Sequence, residues 1–402
     1  MKAFHELGRE IGERWKRLNY DEKVFPALAV DLLGSARLHE RFDPADVVRW
    51  ICTTETPPAQ LEPGTFGEPP LIVYQGRRFY IEVIFWLDGT TAVHQHGFSG
   101  AFGVLAGESV ETSYALNPVR RINSRMLLCD VIPEGVRLLR AGAVEDIIAG
   151  EAGAHSLFHL ARPSVSIVVR TVREIEAQPQ YQYLRPHLAV DPFAFDPVID
   201  RRTRALHALL TTADPRFDEV AGAAIANADL ELTYHLLETV HAGEGPTDRY
   251  RQLAAQAEGI HGDVILKFTA VQSERARERT IVALRSKIRD ADHRFFLALL
   301  LNAPTRPMLL ELVRQRFPGE DAELKVEGWL RQLSGPDGIG LEMDDMTISL
   351  YRMLTVPRSL DEVIERVNAD VEAGAYRTTG RQVIKQFGLL RNSWILRPLI
   401  AR

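Results

Sequence analysis

Cysteine is scarce in this chain. Cys52 and Cys129 are the only two in 402 residues, too few and too far apart for a disulfide framework or a paired-cysteine zinc site. An excess of one charge is also lacking. With 48 Lys and Arg against 54 Asp and Glu, the formal net charge is -6, which gives no general attraction to nucleic acid or to acidic membranes. A bilayer-spanning run is missing too, because the uncharged stretch 89–107 is interrupted by glycines and carries two histidines. Near the start, Glu6, Arg9, Glu10, Glu13 and Arg14 break up any apolar run of the signal-peptide kind. The expectation is a cytoplasmic protein with no membrane contact. What is present is 46% hydrophobic and 25% charged, enough apolar material for two or three cores.

The stretch around which the rest is organised is 88–111, DGTTAVHQHGFSGAFGVLAGESVE. Side chains two apart on a strand leave the same face, so His94 and His96 converge while Gln95 turns away. Imidazole suits iron, copper, nickel and zinc, and two ligands on one rigid strand need only one or two more to close a site. The same pair also fits two ordinary polar residues on a sheet surface. Its flanks favour the metal. A β-rich run over 79–86 ends in an Asp88-Gly89 turn, and Gly97, Gly100 and Gly107 separate further short strand-like pieces. Strand, turn, strand repeated in this way is how a small antiparallel barrel presents ligands inward.

With Trp86, Gly89, His94, His96, Leu105, Gly107 and Glu111 in this order, the stretch resembles the first metal motif of the cupin superfamily. Within it, the likeness is to thiol dioxygenases of the cysteine dioxygenase type. The usual cupin glutamate, four residues past the second histidine, is replaced by Gly100. The thiol dioxygenase branch uses three histidines instead, so the resemblance implies one more. Ile147, Gly153 and His155 match the second motif and make His155 the expected third ligand, with His159 as an outer group or, in the reverse assignment, the ligand itself. The resemblance covers about residues 70 to 171.

That resemblance implies Fe(II), with Ni, Zn, Cu or Mn as other divalent choices, and a small thiol or other chelating anion reacting with dioxygen. It also implies a cation near the substrate carboxylate. Arg77 and Arg78, on the turn before the strand ending at Trp86, either form a charged hairpin tip in solvent or supply it, Arg77 being the choice if one points inward, since a guanidinium fork holds a carboxylate with two parallel hydrogen bonds. The chain departs from the family at two places. No cysteine stands near Gly100 and Ala101 to form the crosslink some members carry, and the late-strand series Ser-x-His-x-Tyr is reduced to Ser166-Ile-Val168-Val-Arg170. Arg170 is expected to meet an anion if it faces the site.

The expected fold class is α+β: N-terminal helices over 1–60, a small antiparallel cupin-like barrel over 61–175, a proline-rich link at 176–200, and a mostly α-helical domain over 201–402. Phe4, Leu7, Ile11, Trp15 and Leu18 form a helical stripe. Helices are expected at 201–210, 217–226, 231–240, 250–258, 264–268, 274–289 and 293–301. Two helix-turn-helix echoes follow, around 308–313 and 360–367. The segment 376–402 has six Lys and Arg and no acid. With a strand-like tail at 393–396 it is compatible with a winged-helix unit, although a basic C-terminal helix accounts for it more simply. Four functions therefore stand side by side: an oxygenase of a thiol or chelating acid, a cupin cleaving a carbon-carbon bond in a diketone or aromatic diol, a metal- or ligand-sensing regulator binding DNA or a protein, and a scaffold without metal. The regulator requires a homodimer; nucleic acid is the less favoured partner.

Overall fold

The structure, a computed structural model, describes residues 1–60, 66–172, 174–375 and 377–401. Residues 61–65, which open the expected barrel segment, and Tyr376 and Arg402 of the basic tail lie outside it. The chain divides into two compact units, one of Met1–Ser109, Ser113–Gly135 and Leu139–Ala276, the other of Val110–Thr112, Val136–Leu138 and Arg277–Arg402.

The first unit begins with α1 (Lys2–Arg17), α2 (Phe25–Ala36) and α3 (Pro44–Thr53). On α1 the expected stripe buries Phe4, Leu7, Ile11 and Trp15, while Leu18 falls at the helix end and is exposed. A proline in the first turn starts α2 and α3, and the Asp43 carboxylate accepts the Ala45 amide at 2.8 Å to cap the latter. Burying each large apolar side chain of the stripe contributes about 1.5–3 kcal/mol before entropy is counted.

Among the described residues eleven strands follow: β1 (Pro70–Gln75), β2 (Phe79–Trp86), β3 (Val93–His96), β4 (Gly100–Ala106), β5 (Glu108–Arg121), β6 (Met126–Arg140), β7 (Val144–Ile147), β8 (Gly150–His159), β9 (Ser164–Thr171), β10 (Gln182–Leu184) and β11 (Leu188–Val190). They make a five-stranded sheet in the order β1-β2-β9-β4-β7 and a closed barrel in the order β10-β11-β6-β5-β8-β3. The antiparallel barrel, the helices before it and the helical remainder are the α+β arrangement expected. β10 and β11 were not expected, since prolines crowd 179–197. They form because Pro179 and Pro192 flank the pair and Pro186 sits in its turn, leaving three-residue strands free to pair.

Alternation sorts the side chains into layers. On β2 the odd residues Ile81, Val83 and Phe85, and on β9 Val165, Ile167 and Val169, pack under α1 and α2. The even residues of the same strands, Glu82, Ile84 and Trp86 with Ser166, Val168 and Arg170, face the other way and line a chamber. Inside the closed barrel Val93 meets Tyr114, Cys129, Ala154 and Tyr183. On its far side Met126, Leu128, Leu184 and Leu188 pack on helices α4 (Pro197–Thr211), α5 (Phe217–Ala226), α6 (Leu230–Glu244), α7 (Asp248–His261) and the start of α8 (Val264–Lys287). Where two helices were expected over 264–289, α8 is a single one. Its middle is buried at Val271 and Gln272, and Gln272 accepts the Tyr250 hydroxyl, so the polar residues there did not signal a break.

The second unit is helical: α9 (Ala291–Asn302), α10 (Arg306–Arg316), α11 (Ala322–Gln332), α12 (Asp345–Met353), α13 (Leu360–Glu372) and α14 (Gly380–Arg391). α9 is buried from Arg294 to Asn302, with Phe296 against Trp329 at 5.3 Å between ring centres. Capping boxes at Ser359 with Glu362 and at Thr379 with Gln382 start α13 and α14. The strand-like tail expected at 393–396 is a run of turns, and Ile395 and Leu396 are buried instead.

Candidate metal centre

His94 and His96 leave the same face of β3, as the two-residue period requires, and His155 stands directly opposite His94 on β8. The three turn away from the barrel's own core, toward the five-stranded sheet. Val93 turns the other way into that core, and Gln95 leaves the strand on the same side to reach Tyr183. One ring nitrogen from each of the three histidines lies within 4.8 Å of the other two, the only such cluster of three His, Cys, Asp or Glu among the described residues. His94 and His96 are buried and His155 is partly so.

The hydrogen bonding around these rings suits a cation. His94 donates its Nδ1 proton to the Ala92 carbonyl at 2.9 Å, which leaves a lone pair on Nε2. That Nε2 lies 3.2 Å from His96 Nε2. Among the described residues the buried Nδ1 of His96 has no hydrogen-bond partner. Burial, and then the neighbouring His155, hold His94 down to about 3; burial, the two other histidines and Arg170 keep His96 well below its ordinary value. Both are neutral at neutral pH, the form that binds a metal. A first-row ion takes imidazole nitrogen at about 2.0–2.1 Å, which sets its ligand atoms about 3 Å apart, so a separation at the 4.8 Å limit closes by about 1.4–1.9 Å to bring all three into range.

The rest of β3 is held from the side of residues 174–183. Gln95 donates to the Pro179 carbonyl at 2.9 Å and accepts the Tyr183 hydroxyl. The Gly97 amide donates to Gln180 at 3.1 Å, and a Cβ on Gly97 would displace the end of the Gln178 side chain, 2.0 Å away. Tyr183 itself lies in the barrel core.

The histidines open onto a cavity of about 170 Å³. Its walls are mostly apolar, from Phe66, Ile84, Trp86, Phe98, Phe102 and Val168, with Glu82, Ser166, Gln180 and Arg170 as polar points. Trp86 is fixed by its indole N–H donating to Ser166 at 2.9 Å. Arg170 and Val168 both face the cavity. The Arg170 guanidinium lies over the Phe98 ring at 3.2 Å and pairs with Glu82 at 3.6 Å. Burial raises the Glu82 carboxyl, with Arg170 opposing. Burial likewise lowers Arg170.

Two expected residues are elsewhere. Arg77 is exposed in the turn between β1 and β2 and does not line the cavity; the guanidinium that does is Arg170, near the end of β9 and paired across from Tyr80. His159 shares the face of His155, but four strand residues carry it about 13 Å along, too far to reach the same ion. It is buried behind Trp86, stacked at 4.3 Å, with Nδ1 at 2.8 Å from Ser109 Oγ. Glu82 was missed. Its signal was a single acid alternating with apolar residues in a strand that proves buried on both faces.

No family model and no curated protein matches the chain. Among solved structures it is similar to hydroquinone 1,2-dioxygenase PnpCD in complex with Cd2+ and 4-hydroxybenzonitrile, with 18% identity and a TM-score of 0.20 over 26% of this chain and 63% of that one. It is also similar to hydroquinone 1,2-dioxygenase from Sphingomonas sp. TTNP3 with 4-hydroxybenzoate bound, with 13% identity and a TM-score of 0.20 over 27% of this chain and 68% of that one.

Proposed function

We propose that the chain is a cupin-type, metal-dependent oxygenase whose ion, Fe(II) by preference, is held by His94, His96 and His155. Its substrates are dioxygen and a small chelating anion such as a thiol. The observation that carries this reading is the convergence of three histidine nitrogens within 4.8 Å on the wall of a half-open, largely apolar chamber. Three neutral imidazoles leave the ion's charge uncancelled, which favours an anionic ligand. When bound, ferrous iron supplies open coordination positions and one-electron redox chemistry toward dioxygen.

The chain's own residues then have separate tasks. Ala92 fixes the His94 ring through its carbonyl, and Gln95, anchored on Tyr183 and Pro179, fixes the strand between the two ligands. Arg170 receives the anionic end of the substrate, its plane steadied by Phe98. Ile84, Trp86, Phe102 and Val168 exclude water, which strengthens each charge interaction inside.

The test is anaerobic titration of the protein with Fe(II), followed by oxygen consumption with thiols, aromatic diols and diketones as separate panels. Stoichiometric iron with thiol-dependent uptake supports the reading. Iron with uptake only on diols or diketones redirects the substrate to carbon-carbon cleavage, and protein that binds no iron rejects the oxygenase.

A further inference from the structure

The Arg170 end of the chamber contains more than an anion receptor. Glu82 on β2 and Arg170 on β9 face the cavity together, with side chains 7% and 19% exposed. Their closest approach, 3.6 Å, is an ion pair too long for a hydrogen bond and far from a two-bond fork. Among the described residues each is the other's only ionic partner, and the buried Arg170 Nε has no hydrogen-bond partner. Phe98 covers the guanidinium at 3.2 Å, and Tyr80 lies at 5.1 Å.

The fold does not need this pair. Its neighbours on the same faces, Ile84, Trp86 and Val168, are apolar, and an ion pair in such a layer is no more stabilising than apolar residues of similar size. A loose pair with an unused donor is what a ligand would complete. Its composition decides which ligand. An anion brought to Arg170 also comes close to Glu82, and in a chamber with little water that repulsion is poorly screened. A positive group beside the anion removes the conflict by taking Glu82 as its own partner.

We propose that Glu82 is a specificity-determining residue. It makes the Arg170 end of the chamber select amphoteric end groups, with a carboxylate beside an ammonium, over bare anions. This rests on the metal-site reading, because the other end of the ligand is taken to bind the ion.

The test uses full-length protein loaded with Co(II) and reads thiolate-to-metal charge-transfer absorption, which gives a Kd without turnover. Three probes differ only in their charged groups: cysteine carries both, 3-mercaptopropanoate the anion, and 2-aminoethanethiol the cation. Wild type binds cysteine tightest. Glu82→Gln weakens cysteine and 2-aminoethanethiol roughly tenfold and tightens 3-mercaptopropanoate, so that the order inverts. Arg170→Gln weakens the two carboxylates and spares 2-aminoethanethiol. The wild-type order needs no variant, so 3-mercaptopropanoate binding as tightly as cysteine overturns the proposal even if Glu82→Gln does not fold. A Glu82→Gln protein that shifts all three probes equally, or none, also overturns it. Co(II) that fails to bind rejects the metal site and this inference together, whereas Co(II) bound with unaltered preferences rejects this inference alone.

Discussion

Placing a glutamate at position 100 as a fourth ligand would destroy the site rather than complete it. Gly100 pairs with Ile147 on one side and Arg170 on the other, between β7 and β9. A Cβ there would stand 1.9 Å from the Val169 carbonyl oxygen and 3.0 Å from the Arg170 Cα. An ordinary carbon-oxygen contact needs about 3.3 Å, so β4 and β9 must separate by more than about 1 Å. Separation on that scale costs about two ladder hydrogen bonds, each worth about 1 kcal/mol and more if the freed groups stay buried. Gly100→Ala is therefore expected to lose about 2–4 kcal/mol, and Gly100→Glu at least as much. In a unit of this size that corresponds to a fall in Tm of about 4–8 °C. The assay is thermal and denaturant unfolding of the metal-free protein, alongside Fe(II) titration. Arg170 shifts with β9, so affinity for an anionic ligand falls with stability. If Gly100→Glu unfolds within about 0.5 kcal/mol of wild type or binds iron more tightly as a fourth ligand, the packing argument is wrong.

Three further expectations follow from the same geometry. His94 has a folded-state value of about 3 against about 6.5 when unfolded, so the unfolded chain takes a proton that the folded one refuses. Metal-free stability is then full above pH 6.5 and falls toward pH 3, by about 1.4 kcal/mol per pH unit from His94 alone; denaturant unfolding across that range checks it, and His94→Asn losing none of the slope would refute it. His159→Ala loses about 2–4 kcal/mol, because the ring stacks on Trp86 and bonds Ser109, yet keeps its metal; metal lost with stability intact would make it a ligand after all. Arg77→Ala changes neither stability nor ligand Kd beyond about 0.5 kcal/mol in calorimetry, as befits an exposed turn residue, and a tenfold loss of ligand affinity would return it to the site.

Local periodicity carried much of the site. His94 and His96 share a face because a strand repeats every two residues, and the helix α1 stripe was visible for the same kind of reason. Arg170 faces the cavity together with Val168, again through that period. Which third histidine joins them depends on register across β3 and β8, where His94 meets His155 but His96 meets Gly150. No local pattern contains that irregularity. Direction was also hidden: alternation says that His94 and Gln95 point opposite ways, not which way holds the chamber. Glu82 was overlooked because an acid in a strand ordinarily marks the wet face, and here α1 and α2 cover one face while the barrel covers the other. β10 and β11 were overlooked because prolines that frame a strand and prolines that break one look alike in sequence.

The central claim is one ion held by imidazoles from β3 and β8. It is tested most directly by metal analysis of protein purified without chelator and reloaded with Fe(II), comparing wild type with His96→Ala, His155→Ala and His159→Ala. One iron per chain in wild type and in His159→Ala, lost from the other two, is the result predicted. Wild type that takes up no iron, or His96→Ala and His155→Ala proteins that still hold it, would contradict the claim.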